Sequence, residues 1–221
     1  MKTYLFVIFS LCLSICACVQ APKSDAAKVS DAKAVDNTSQ AGRTLNIDNS
    51  KSLITWVGTK PTGRHNGTLN IKSGGLGITN SQIVSGNFDI EMSTLKVKDM
   101  DEENNNNLAG HLMSEDFFKV KQFPISTFIV TSVVPYRENA GETKPLLDGV
   151  THNVIGNLTM LGNTKSISFP AKITFRDGGV KAEANFNINR TDWGISYNSD
   201  KSLGDKFIRH DVNIGLNIVA M

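Results

Sequence analysis

Residues 166–189 read SISFPAKITFRDGGVKAEANFNIN. On either side of Asp177-Gly178-Gly179 the apolar residues recur at every second position. They are Ile167, Phe169, Ala171, Ile173 and Phe175 before the turn, and Val180, Ala182, Ala184, Phe186 and Ile188 after it. Apart from Pro170, the residues between them are polar, from Ser166 to Arg176 and from Lys181 to Asn189. A period of two makes a strand with one dry and one wet face. Asp-Gly between two such runs predicts a tight hairpin. This is antiparallel β-structure with an apolar face to cover.

The same period recurs outward from this hairpin. In 84–92, Val84, Gly86, Phe88, Ile90 and Met92 alternate with Ser85, Asn87, Asp89 and Glu91. In 208–218, Ile208, Val212, Ile214, Leu216 and Ile218 share one parity. Less regular runs at 52–60, 65–72, 125–134 and 153–161 are read as four further strands. Leu161 to Thr164 (LGNT) is read as a second hairpin turn, and Ser73 to Gly77 (SGGLG) as a glycine-rich turn between strands. The class is all-β. About eight strands with one dry face each suit an antiparallel sheet closed on itself, which has no edges and room for one small ligand. Two packed sheets satisfy the same periodicity, so barrel and sandwich both stand at this point. The dry faces either fill a core or line a cavity. Ala182, Ala184 and Gly86 are small where a filled core favours bulk.

Period two is lost over 99–118 (DMDEENNNNLAGHLMSEDFF), where Leu108 and Leu112 lie four apart on what is read as a short helical segment. Ser114, followed by Glu115 and Asp116, reads as the N-cap of a second helical turn carrying Phe117 and Phe118. Phe123 precedes Pro124, which biases it to extended geometry at the start of the next strand. The three rings are expected to close one mouth of whatever the sheet encloses. The alternative is that they pack the helix onto the outside of the sheet.

Charge argues against nucleic acid as a partner. The 23 Lys and Arg against 21 Asp and Glu leave a net charge of +2, without the basic surface that phosphate backbones require. There is no Gly-x-Ser-x-Gly elbow, phosphate loop or dinucleotide fingerprint. The chain is expected to be neither an enzyme nor a carrier of a cofactor. His111 and Glu115 lie four apart, but no second pair with metal-ligand spacing joins them, so no metal site is expected. His65 and His152 are read as solvated. His210 shares parity with Ile208 and Val212, and is either a buried, hydrogen-bonded histidine or a polar contact for a ligand headgroup. Arg190 and Asp192 of NRTDWG are expected to pair across a structural corner beside Trp193, with ligand gating as the alternative.

The three cysteines fall at 12, 16 and 18, which excludes disulfides and thiolate chemistry from the body of the chain. Lys2 and the apolar run YLFVIFSLCLSI read as a signal peptide over 1–17, too short for a comfortable membrane span. It ends in Ile15-Cys16-Ala17-Cys18, which looks like a bacterial lipobox with Cys16 in place of the usual small residue. Cys18 is expected to be lipidated, with a plain signal peptide or an uncleaved anchor as the alternative. Residues 18–42 are rich in Ala, Ser, Asp and Lys and are read as a flexible tether. That leaves 43–221 as the folded domain.

HLMSEDFFKVKQFPISTF (111–128), GNLTMLGNTKSISFPA (156–171) and INRTDWGISY (188–197), in this order, resemble the YceI-like family of polyisoprenoid-binding domains. TWVGTKPTGRHNGTL (55–69) and LGDKFIRHDVNIGLNI (203–218) look like its lipoprotein subgroup. The resemblance spans roughly 50–220 and implies an eight-stranded antiparallel lipocalin-like β-barrel flanked by a short helical segment. The family's apolar interior implies an isoprenoid ligand, such as a polyprenol or quinone tail. With strand parity, this places Phe88, Ile90, Met92, Leu158, Met160, Phe169, Ile173, Phe175, Phe186, Ile188, Ile214 and Leu216 along a ligand-binding interior. Phe117, Phe118 and Phe123 are expected at its mouth, and His210 towards a headgroup. The function expected is a membrane-tethered periplasmic protein that carries or stores such a lipid. Its anchor is Cys18 in the bacterial envelope, on the outer membrane facing the periplasm. Partners are the lipid and the membrane, with a homodimer left open. The alternative is a solidly packed barrel serving as an adaptor or stress-response protein through its surface.

Overall fold

All eight of those runs become strands. The computed structural model describes residues 22, 24, 26–35, 42–138 and 145–221, so the expected signal peptide and Cys18 lie outside the described residues. In chain order the elements are β1 (Lys28–Asp31), β2 (Arg43–Asn46), β3 (Leu53–Lys60), β4 (Gly63–Thr79), β5 (Gln82–Val97), α1 (Glu102–Met113), β6 (Ile125–Pro135), β7 (His152–Met160), β8 (Asn163–Arg176), β9 (Gly179–Asn189) and β10 (Asp211–Ala220). Short 3-10 turns lie at Arg190–Trp193 and Lys201–Lys206. Strands β3 to β10 form an antiparallel meander, and β10 pairs with both β9 and β3. The sheet therefore closes as an eight-stranded barrel, not a sandwich.

Closure is specified locally. Asn80-Ser81, Leu161-Gly162 and Asp177-Gly178 each place two successive residues at positive φ, the turn geometry whose twist matches the strands it joins. The glycine-rich stretch Ser73 to Gly77 is a correction, because it runs inside β4. A Cβ on Gly74 would collide with the Asn87 carbonyl oxygen of β5. These glycines allow close approach rather than a turn. Strands β4 and β5 shift register between Thr68 and Asn70, Ile71 and Ser73, and Gly77 and Ile78. The bulge between Ile71 and Ser73 swaps the inward parity of β4, from Leu69 and Ile71 to Leu76. That swap is what hid the full strand from a period-two reading.

Helix α1 starts at Asp101, whose side chain accepts from the Asn104 amide, and ends at Ser114. Ser114 is thus its C-cap and not the N-cap of a second helix. Phe117 and Phe118 lie on turns whose amides donate back to the carbonyls of Ser114 and Leu112. Leu108, Ala109 and Leu112 pack with Leu95 and Val97 of β5 and with Trp56. Strand β10 begins at Asp211, later than its parity suggested. The amides of Ile208 and Arg209 donate instead to the carbonyls of Asn198 and Thr59.

Part of the segment read as a flexible tether is ordered on the barrel. β1 pairs with Lys165–Ser168 of β8, and Ala26 bridges to Asn187 of β9. Composition could not foresee this. The strand completes ladders already offered by its neighbours and buries little apolar surface of its own, essentially Ala27.

Candidate ligand cavity

The inward side chains of the barrel do not fill it. They leave a cavity of about 250 Å³ with an apolar wall. β5 contributes Phe88, Ile90 and Met92; β7 contributes Leu158 and Met160. β8 and β9 add Phe169, Ile173, Phe186 and Ile188, and β10 adds Ile214 and Leu216. Four rings run across the interior. Phe88 and Phe128 are 6.2 Å apart, Phe128 and Phe169 5.8 Å, and Phe169 stacks on Phe186 at 4.1 Å.

Phe117 and Phe118 reach the cavity at the end nearest α1. Phe117 is buried and forms a three-ring cluster with His111 and Tyr197, with centroid distances of 5.0 to 5.1 Å. The cluster ties the turn after α1 to the segment leading into β10. His111 lies 3.1 Å from Asp116 through Nε2, not beside Glu115, which accepts from Gln122.

Three of the expected residues are elsewhere. Phe123 is half-buried against the Leu161-Gly162 turn, where a Cβ on Gly162 would lie 3.4 Å from its ring. Phe175 sits one layer below the void, opposite Val180 and beside the packed end where Leu45, Ile78 and Ala220 are buried. His210 is not in the wall. Its Nε2 is 2.8 Å from the Ser199 carbonyl and its ring meets Phe207 edge-on. The parity that suggested an inward His210 fails because 208–210 is not strand. Gly86 leaves no room either, since a Cβ there would come within 2.9 Å of Leu76. Ala182 does line the space.

Sequence reading missed Trp56, Leu76 and Leu95, all in the wall. Leu76 and Leu95 lie beyond bulges, where the parity reverses; Trp56 belongs to a run too irregular to assign faces.

Arg190 also reaches the wall. It pairs not with Asp192 but with four backbone carbonyls. Nε donates to Arg209, Nη1 to Ile195, and Nη2 to Tyr197 and Ile208. Burial pushes its guanidinium pKa below the ordinary value. Four carbonyl dipoles take the place of a counter-ion, so the residue pins the corner. Trp193 beside it is fully buried and donates to the Leu158 carbonyl at 2.9 Å. Among the described residues, no group of three or more His, Cys, Asp and Glu side chains is arranged to hold a metal ion.

Residues 45–220 match the model of the YceI-like domain. The chain belongs to the YceI-like family. Related proteins include UPF0312 protein YE1254 of Yersinia enterocolitica, 38% identical over 92 residues, and a UPF0312 protein of Yersinia pestis, 37% identical over 92 residues. Both alignments cover 39% of this chain and 42% of the relative, so the chain spans about two-fifths of the length of those relatives. Among solved structures, Burkholderia cenocepacia BcnA superposes with a TM-score of 0.58 at 17% identity, covering 79% of this chain and 99% of that one. A polyisoprenoid binding domain from Saccharophagus degradans, implicated in plant cell wall breakdown, gives 0.56 at 13% identity, covering 80% and 97%. At these identities the likeness is one of fold.

Proposed function

We propose that this YceI-like barrel binds an isoprenoid lipid by its hydrocarbon tail and carries or stores it at the bacterial envelope. The observation that carries the reading is the apolar cavity itself. A wall that is almost wholly apolar, with the Arg190 guanidinium already bonded to backbone carbonyls, disfavours a headgroup and accepts a hydrocarbon chain. The polyisoprenoid binding of the Saccharophagus degradans domain supports the choice of chain. The cavity of about 250 Å³ is large enough to take part of such a chain. The polar end and the rest of a longer lipid lie outside it. A solidly packed adaptor barrel has no support from this interior.

Anchoring through Cys18 belongs to the same reading, on the outer membrane facing the periplasm. Because the chain is bonded to the barrel from the Pro22 carbonyl onward, the link from Cys18 is four residues, at most about 13–14 Å when extended. The barrel then works close to the bilayer that holds its ligand. Organic extraction of the purified full chain followed by mass spectrometry is the test. An isoprenoid recovered in stoichiometric amount is the expected result. A straight-chain fatty acid, or no lipid, overturns it.

A further inference from the structure

We propose that the N-terminal strap, residues 26–31, is a removable side wall of the cavity, and that apolar chains enter and leave between β8 and β9. This rests on the reading of the cavity as an isoprenoid site and adds the route. β8 and β9 share a ladder only from Ala171–Ala184 to Arg176–Gly179, although β8 begins at Asn163 and β9 runs to Asn189. Beyond Ala171 the strands part. The strap takes the space, antiparallel to Lys165–Ser168 and bridged in parallel to Asn187. Strands bonded to a common neighbour stand two spacings apart, about 9–10 Å between backbones. Without the strap, the slot is one strand wide and about 20 Å long. Behind it lie Ile167, Phe169, Phe186 and Ile188, all in the cavity wall. The stacked Phe169–Phe186 pair follows directly after the last rung, Ala171–Ala184.

The strap is held mainly by polar bonds. Of its side chains only Ala27 is buried, and Val29 is half-buried against the core. The Lys33 main chain exchanges two hydrogen bonds with the Asn157 side chain, at 3.0 and 2.7 Å. A segment with few buried apolar contacts opens at low free energy. The ends of the barrel are built differently. One is filled by buried Leu45, Ile78, Val180 and Ala220. The other is covered by α1 and by the segment that Arg190 pins with four hydrogen bonds. The strap also lies outside residues 45–220 that carry the family domain, and β8 and β9 stay joined without it by their own ladder from Ala171–Ala184 to Arg176–Gly179. A lipid longer than the cavity needs an exit, and this slot provides one.

Lys28 and Ser168 are opposed Cα partners, and Lys28 points to solvent. Antiparallel partners stand within disulfide reach. In the full chain, Lys28→Cys with Ser168→Cys therefore gives a strap that oxidation locks and reductant frees. The probe is a geranyl chain bearing an environment-sensitive fluorophore. Loading is expected to be about ten-fold or more slower when oxidised than after reductant in the same sample, with release slowed equally and affinity unchanged. A second variant, Ala27→Asp, puts a charge at the strap's buried position. It should speed both loading and release, with hydrogen exchange showing Lys28–Asp31 released. Equal loading before and after reduction overturns the side entrance and leaves the isoprenoid reading standing. A probe that binds no form, wild type included, overturns both.

Discussion

Phe186 and Asn187 are neighbours in the chain and opposites in the barrel. Phe186 is 3% exposed and faces the cavity. Phe186→Asp puts an unpartnered carboxylate in an apolar wall and should cost several kcal/mol in a urea titration. Parity alone makes Asn187 a surface position where Asp is tolerated. Its side chain does point outward, but the strap covers it. Its amide nitrogen donates to the Pro22 carbonyl at 3.0 Å, and its oxygen accepts from Asn213 at 2.8 Å. Asp keeps the second bond and loses the first, so Asn187→Asp should cost about 1–2 kcal/mol in the same measurement, above the ~0.5 kcal/mol of an exposed swap. Arg190→Met strips four carbonyls of their donor. A loss on the order of 4 kcal/mol is expected there. Arg190→Lys should recover only part of it, because an ammonium has three donors and no fork.

Among the elements, the turn between β2 and β3 shows how a short polar device sets a strand's start. Asp48 pairs with Lys51 Nζ at 2.8 Å and accepts from the Ser50 amide at 3.0 Å. The hydrogen bond from Lys51, then that from Ser50, lowers its pKa from 3.8 to about 2. A carboxyl whose pKa is lower folded than unfolded stabilises above its unfolded pKa and loses that contribution as pH falls through the folded one. The gap in thermal midpoint between wild type and Asp48→Asn should thus be constant above 3.8 by several tenths of a unit and close as pH drops to about 2. A gap that persists to the acid side assigns the effect to the turn's geometry rather than its charge. Gly74 makes the complementary point inside β4. Gly74→Ala forces β4 away from the Asn87 carbonyl and should lower the midpoint at every pH.

For the whole molecule, the consequence of the proposed anchor is a location. Cys18→Ala should move the protein from the membrane to the soluble periplasmic fraction, followed by immunoblot of separated fractions. Retention on the membrane places the anchor elsewhere. Since the first described bond to the barrel, at Pro22, lies four residues beyond Cys18, the soluble variant should keep its barrel and its ligand, and lose only its proximity to the bilayer.

The amino-acid sequence by itself determined the all-β class, the eight strands and the hairpins at Leu161-Gly162 and Asp177-Gly178. It also assigned the inward faces of β8 and β9 wherever the period of two ran unbroken. Alternation and turn chemistry are local, so they are legible without a fold. Tertiary structure alone decided what depends on distance across the barrel. Bulges in β4, β5 and β6 reversed the parity and brought Leu76, Leu95 and Val133 into the wall. Hydrogen bonds to Asn198 and Thr59 drew 208–210 out of the strand and His210 away from the cavity. A segment of tether composition became a strand because β8 and β9 part and leave backbone groups for it to bond. Such groups exist only once the barrel has closed, and no pattern within the segment announces them.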